Sequence, residues 1–164
     1  MFETSVPVLI HHMKALTAIL EKAEAHCEAK KIDPSALLNF RLFPDMYPLI
    51  RQVTLVSDFA KGAGARLAGI AVPSYADEEK SFADLKARLA KTIDFLGTLK
   101  PDQLADAATR QVVLKVGDGE MTFSGASYFS YFALPNFYFH AATAYGILRH
   151  NGVELGKRDF MGRA

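Results

Sequence analysis

Hydrophobic residues recur at three- and four-residue spacing along three stretches of the chain, and this spacing predicts amphipathic helices. The stretches lie at residues 10–27, 48–67 and 81–99, and each carries polar residues on its opposite face. We therefore expect three helices that bury one side against each other.

Residues that favour helix ends support these assignments. Ser5 is a suitable N-cap for the first helix, with Pro7 in its first turn. Ser81 followed by Asp84 resembles a capping box at the start of the third helix, and Pro101 is expected to end that helix.

The period of the pattern changes between residues 111 and 124. The stretches QVVLKV and EMTFS alternate and flank Gly117-Asp118-Gly119. Two short alternating runs around a glycine-rich turn predict a β-hairpin. Because an isolated hairpin is only marginally stable, we expect it to pack on the helices.

A fourth helix is predicted from Gly125 to the C-cap sequence His150-Asn151-Gly152. Pro135 lies inside it, so either the helix kinks there or two helices meet there. Residues 121–148 carry no Asp, Glu, Lys or Arg. About 20 residues suffice to span a bilayer, but several polar residues interrupt the apolar surface. We therefore expect the most buried helix of a soluble protein.

These elements predict an all-α fold, a four-helix bundle with a small β-hairpin before the last helix, formed by one domain over residues 1–164. Half of the residues are hydrophobic and the net charge is +1, which excludes a disordered chain and gives no sign of nucleic-acid or membrane binding. With Cys27 as the single cysteine and no signal-peptide pattern at the N-terminus, the expected location is the cytoplasm.

His140 is the titratable residue of greatest interest, because it lies in the charge-free helix. Asn136 and Thr143 share its helical face. A histidine in a bundle can be a metal ligand, a general base or a hydrogen-bonded structural residue. Since no second histidine stands three or four residues away, the structural interpretation is favoured.

Gln52 and Asp58 are the polar candidates on the second helix. Gln52 lies beside the hydrophobic seam, whereas Asp58 groups with Arg51, Thr54 and Lys61. For Asp58, the simpler interpretation is a solvated helix face with a contact to Lys61 or Thr54.

Aromatic residues are concentrated in the fourth helix and point to all of its sides. Core packing cannot cover the whole circumference unless the helix is central. A side outside the core is expected to be a pocket wall or a dimer face, and a homodimer is the natural way to cover the remainder. The residues concerned are Tyr128, Phe129, Tyr131, Phe132, Phe137, Tyr138, Phe139 and Tyr145.

Two segments carry a family resemblance. DMYPLIRQVTLVSDFAKGAGARLAG and the later LPNFYFHAATAYGILRHNGVELGKRDFMG resemble an uncharacterised branch of the DinB/YfiT-like four-helix superfamily. The resemblance implies an up-down-down-up bundle that is often dimeric. It also implies a divalent metal held by one histidine on the second helix and an HxxxH pair on the fourth.

This chain departs from that metal pattern. By the resemblance, His140 corresponds to the second histidine of HxxxH, Asn136 to the first and Gln52 to the histidine of the second helix. Amide oxygens are weak ligands for zinc or nickel compared with imidazole, so the residues disfavour such a cofactor.

Three hypotheses follow. In the preferred one, Gln52, Asn136 and His140 line a pocket between the second and fourth helices, with Asp58 farther along, and it binds a small molecule without a tightly held metal. The second is a metal- or thiol-dependent transferase or hydrolase that uses His140 and Asp58. The third is a structural or interaction protein that assembles through its aromatic helix.

Overall fold

The computed structural model describes residues 1–162 of the chain, which form helices and one small sheet. Four helices are long and three are short. In chain order the elements are α1 (Phe2–Lys30), α2 (Pro34–Leu38), α3 (Leu49–Ala68), α4 (Phe82–Gly97), a 3-10 turn (Pro101–Leu104), β1 (Gln111–Val116), β2 (Gly119–Ser124), α5 (Gly125–Tyr128), a π-helical segment (Phe129–Ala133), α6 (Leu134–His150) and α7 (Lys157–Met161). The four predicted helices and the hairpin are present, and α2 and α7 were not predicted.

Most predicted helix ends agree with the structure. Helix α3 follows Pro48 and ends at Gly69 with φ 69°, a left-handed conformation that glycine adopts readily. Helix α4 is capped by the Ser81 hydroxyl, which accepts a hydrogen bond from the Asp84 N–H at 3.1 Å. It ends at Gly97, earlier than the Pro101 stop that the sequence predicted.

The predicted start of α1 was wrong. The helix begins at Phe2, and Ser5 lies inside it with its hydroxyl donating to the carbonyl of Met1 at 2.8 Å. Pro7 is therefore within the helix, where its missing N–H removes one backbone hydrogen bond. The buried side chains of Ser5, Val6 and Leu9 extend the buried face of α1 N-terminal to the hydrophobic stretch at residues 10–27.

The hairpin pairs antiparallel strands from Gln111 opposite Ser124 to Val116 opposite Gly119. Gly117 has φ 57°, which suits a tight turn between right-twisted strands. A close backbone contact joins the hairpin's end to the preceding loop. A Cβ placed on Gly125 would lie 1.9 Å from the carbonyl oxygen of Ala107, so this position has room only for glycine.

The backbone remains helical through Pro135, and a π-helical segment precedes it. Since proline has no N–H, the carbonyl of Tyr131 has no α-helical partner. Just before the proline, the N–H of Leu134 bonds to the carbonyl of Phe129, which lies five residues earlier rather than the four of an α-helix. The extra residue in this turn changes which side chains face each neighbour.

Helix α3, rather than the aromatic helix, is the most buried of the long helices. It packs against both α4 and α6, and α1 packs against α4. Residues 62–65 read GAGA, and these small residues allow the close approach of neighbouring helices. In contrast, α6 leaves Phe139 57% exposed and Tyr131, just before it, 81% exposed. A lack of charge in this segment therefore did not mean burial on all sides.

Within residues 1–162, none of the helices is long and apolar enough to cross a lipid bilayer.

Candidate functional site

Gln52 and His140 meet between α3 and α6. The Gln52 Oε1 atom lies 2.7 Å from Nδ1 of His140, although 88 residues separate the two in sequence. Both residues are buried, with 1% and 8% of their surface exposed. The structure therefore brings together two of the four candidate residues.

The contacts of Gln52 determine which nitrogen of His140 carries the proton. Gln52 Nε2 donates to the carbonyl oxygen of Tyr47 at 3.0 Å, and a carbonyl can only accept. The amide oxygen of Gln52 consequently faces the imidazole, so Nδ1–H of His140 must be the donor. A neutral His140 then has its lone pair on Nε2.

Burial keeps this imidazole neutral. It lowers the pKa of His140 below its usual value, and the positive charge of Arg51 acts in the same direction. Among residues 1–162 every fully buried side-chain nitrogen or oxygen has a hydrogen-bond partner, whereas Nε2 of His140 has none within this part of the chain. Nε2 is therefore accessible and can accept a hydrogen bond from a ligand.

Aromatic rings surround the imidazole. Phe59 of α3 stacks on His140 with ring centroids 5.5 Å apart and an interplanar angle of 17°. Phe139 meets it edge-on, with a centroid distance of 5.2 Å. The polar nitrogen is thus presented within an apolar frame, an arrangement typical of ligand sites.

Asn136 lies one turn before His140 but is engaged elsewhere. Its Nδ2 donates to the carbonyl of Phe132 at 2.7 Å, in the π-helical segment. Its side chain is half-buried. The structure does not join Asn136 to the Gln52–His140 pair by a hydrogen bond.

Asp58 faces α4 rather than His140. Its Oδ1 accepts from Arg88 at 2.8 Å and from Lys61 at 2.7 Å. Arg88, which is 4% exposed, also pairs with Asp77 and with Glu79. This network ties the segment between α3 and α4 to both helices. The expected contact with Lys61 is present, but the expectation of a solvated helix face was wrong, because Lys61 and Arg88 are both buried.

The residues at the three positions implied by the resemblance do not fit a zinc or nickel site. The amide nitrogens of Gln52 and Asn136 both donate to backbone carbonyls, and the Gln52 oxygen occupies Nδ1 of His140. Within the described residues, no group of three or more His, Cys, Asp or Glu side chains is placed to hold a metal ion. A single imidazole nitrogen is too few ligands for tight binding.

A cavity of about 510 Å³ lies on the far side of Phe59, between α3, the hairpin and the π-helical segment. Asp58 and Phe59 line it, and so do Tyr128, which the sequence analysis named only among the aromatic residues of the fourth helix, and Arg66, which it missed. The signal for Arg66 was the spacing 55, 59, 62 and 66, which places Leu55, Phe59, Gly62 and Arg66 on one face of a helix. A larger groove of about 1150 Å³ between α1 and α7 includes none of the four candidates.

Comparisons with known proteins extend over nearly the whole chain. A family model described as a domain of unknown function, DUF1993, matches residues 1–161. Among solved structures, the chain is similar to a DinB family member from Shewanella denitrificans, whose crystal structure was determined at 1.83 Å resolution. The two are 41% identical with a TM-score of 0.94, and the match covers 99% of this chain and 92% of that chain. No curated protein matches the chain.

Proposed function

Since the chain belongs to the DUF1993 family and has a DinB-like fold, we propose that it binds a small molecule between α3 and α6, without a tightly held metal ion. The 2.7 Å contact between Gln52 and His140 carries this proposal. It places an amide where the resemblance implies a metal ligand, and it leaves Nε2 of His140 as a neutral acceptor.

The ligand is expected to donate a hydrogen bond to this Nε2 atom and to pack an apolar group against Phe59 or Phe139. Burial lowers the pKa of His140, so the acceptor persists at neutral pH. Asn136, one turn earlier on α6, is expected to border this end of the pocket, and Asp58 is expected to border the other end, on α3.

The test is a screen of small molecules by thermal shift, followed by binding measurements on His140→Gln. Hits that depend on Nε2 should lose about tenfold or more in affinity, which corresponds to about 1.4 kcal/mol. His150→Gln is the matched control, because His150 is exposed at the end of α6. Hits that bind both variants equally would contradict a role for His140.

The competing hypothesis of a metal-dependent enzyme has a direct test. Metal analysis of the purified wild-type protein and of His140→Ala should show no stoichiometric zinc or nickel in either. A stoichiometric metal that disappears in His140→Ala would replace our proposal with metal chemistry.

We further propose a homodimer that packs through the exposed aromatic side of α6 and of the π-helical segment before it. Phe139 on α6 and Tyr131 in that segment are large and exposed, and so are Phe43 and Tyr47 in the loop before α3. Light scattering should give about 36 kDa for a dimer of the 18.0 kDa chain. A Phe139→Glu variant should reduce this to the monomer mass, and a monomeric wild-type protein would refute the proposal.

The arrangement of the helices and the cellular location complete the proposal. The four long helices are expected to adopt an up-down-down-up arrangement, which the 13-residue connection from Gly69 to Ser81 is long enough to permit. The expected location is the cytoplasm, where a buried, unpaired Cys27 stays reduced.

A further inference from the structure

We propose that the cavity beyond Phe59 binds the carboxylate group of a small apolar acid, and that Arg66 and Tyr128 hold this group. The inference rests on the proposed small-molecule function, because it names the chemical class of the ligand and the end of the pocket that recognises it.

The shape of α3 creates the site. Leu55, Phe59, Gly62 and Arg66 follow one face of the helix, and the missing side chain at Gly62 leaves room above the backbone. The guanidinium group of Arg66 folds back over this glycine. A Cβ placed on Gly62 would lie 2.5 Å from Nη1 of Arg66 and 3.8 Å from the hydroxyl of Tyr128.

The hydrogen bonds of Arg66 and Tyr128 leave donors for an anion. Arg66 Nη1 donates to the Tyr128 hydroxyl at 3.1 Å, so the phenol's own hydrogen can be donated elsewhere. Within residues 1–162, Arg66 forms no ion pair with a carboxylate. A half-buried guanidinium without a counterion, beside a cavity, is suited to bind a carboxylate through two of its N–H groups.

The charges of the cavity orient such a ligand. Asp58 and Arg66 both line it and are eight residues apart on α3, about 12 Å along the helix axis. At one end the carboxylate of Asp58 is already paired with Lys61 and Arg88, so the anion is held at the other end, where Arg66 attracts it. Lys115 of β1 also lines the cavity and adds positive charge.

The remaining walls favour an apolar ligand body. Phe59, Phe132 and Leu114 provide rings and an aliphatic side chain between the charged ends. The volume of about 510 Å³ is that of a small-molecule pocket. Phe59 also stacks on His140, so the cavity adjoins the Gln52–His140 pair through a single ring.

The experiment compares three probes of equal length that differ in charge: 3-phenylpropanoate, 3-phenylpropanamide and 3-phenylpropylamine. Binding to the ¹⁵N-labelled protein is measured by NMR titration. We expect the carboxylate to bind about tenfold or more tightly than the amide, since one charge-assisted contact contributes that factor. The amine should bind most weakly.

Two variants assign this preference to the arginine. Arg66→Gln should abolish the difference between carboxylate and amide. Gly62→Ala should weaken carboxylate binding by displacing the guanidinium, while the melting temperature holds or rises because alanine favours helix. Arg41→Gln removes the same charge from an exposed loop position and should leave binding unchanged.

The outcomes separate the two proposals. If carboxylate and amide bind equally, if none of the probes binds, or if Arg66→Gln keeps the preference, the carboxylate site is refuted. If the carboxylate preference depends on Arg66 but His140→Gln changes no affinity, the site stands and the role of His140 falls. If binding depends on His140 but not on probe charge, the reverse holds.

Discussion

Replacing Gln52 with leucine should destabilise the protein through the two hydrogen bonds that the amide makes. Gln52 joins the Tyr47 carbonyl at 3.0 Å to Nδ1 of His140 at 2.7 Å, and it is almost fully buried. Leucine has a similar size but no polar atoms. Gln52→Leu therefore leaves the imidazole N–H of His140 without a partner in the interior, and it removes the side-chain donor from the carbonyl of Tyr47, a residue that is 57% exposed.

The magnitude follows from these two groups. The orphaned imidazole N–H costs about 1–3 kcal/mol, and the hydrogen bond lost at the exposed Tyr47 costs about 1 kcal/mol, which together make about 2–4 kcal/mol. The greater hydrophobicity of leucine offsets about 1–2 kcal/mol of this. We expect the free energy of unfolding to fall by about 1.5 kcal/mol.

Urea denaturation followed by circular dichroism at 222 nm measures this change. Gln111→Leu is the matched control, because Gln111 is exposed at the start of β1 and should shift stability by less than about 0.5 kcal/mol. The two single variants together leave three polar groups without their partner, whereas the double variant Gln52→Leu/His140→Leu leaves only the carbonyl of Tyr47. It should therefore cost less than the sum of the single variants by about 1 kcal/mol or more.

A cost for Gln52→Leu no larger than that of the control would refute the argument, because it would mean that the amide contributes nothing to the interior. Strict additivity in the double variant would refute the direct contact with His140.

Three further predictions concern pH, the ion-pair network and two glycines. Burial, and secondly the positive charge of Arg51, lower the pKa of His140 in the folded state, so the unfolded state binds more protons and the free energy of unfolding should fall as pH decreases through 6.5. In urea denaturation from pH 7.5 to 5.5, His140→Gln should reduce this pH dependence and leave the part due to His12, whose pKa burial also lowers. An unchanged slope would contradict the assignment to His140. Arg88→Met should lower the free energy of unfolding by about 2–3 kcal/mol, because it removes a buried cation from partly exposed carboxylates. Since Arg88 also holds the segment before α4, the variant should be cleaved faster than wild type within residues 70–80 in limited proteolysis. Cleavage at the wild-type rate would show that Arg88 does not hold this segment. Gly125→Ala should lower the melting temperature sharply, because its Cβ collides with the backbone of residue 107, whereas Gly97→Ala, with open space around it, should be neutral or stabilising; similar effects of the two would refute the close contact.

The helices and the hairpin were predictable because they depend on local pattern. The apolar spacing in α3 and α4, the cap at Ser81 and the turn at Gly117 all lie within a few residues of what they determine. The start of α1 was missed because the Ser5 hydroxyl donates to the carbonyl of Met1, four residues earlier, rather than accepting from an N–H at the start of a helix. Local sequence does not distinguish these two uses of a serine.

The site was less predictable because its contacts are distant in sequence. The resemblance placed Gln52 opposite His140, and they are in contact. The orientation of the imidazole, however, depends on the backbone carbonyl of Tyr47, which no side-chain pattern reveals. The partners of Asp58 on α4 and of Arg66 beyond the hairpin likewise follow only from the packing of whole elements.

The number of residues in the π-helical segment sets the direction in which the side chains before it point relative to those after it. Each α-helical residue advances the side-chain direction by about 100°, so deleting one residue from Phe129–Ala133 would turn Tyr128 by that angle relative to His140. Tyr128 now contacts Phe123 of the hairpin, while His140 contacts α3. The length of this segment, more than the identity of its side chains, therefore allows one continuous helical stretch to contact both the hairpin and α3, which lie in different directions.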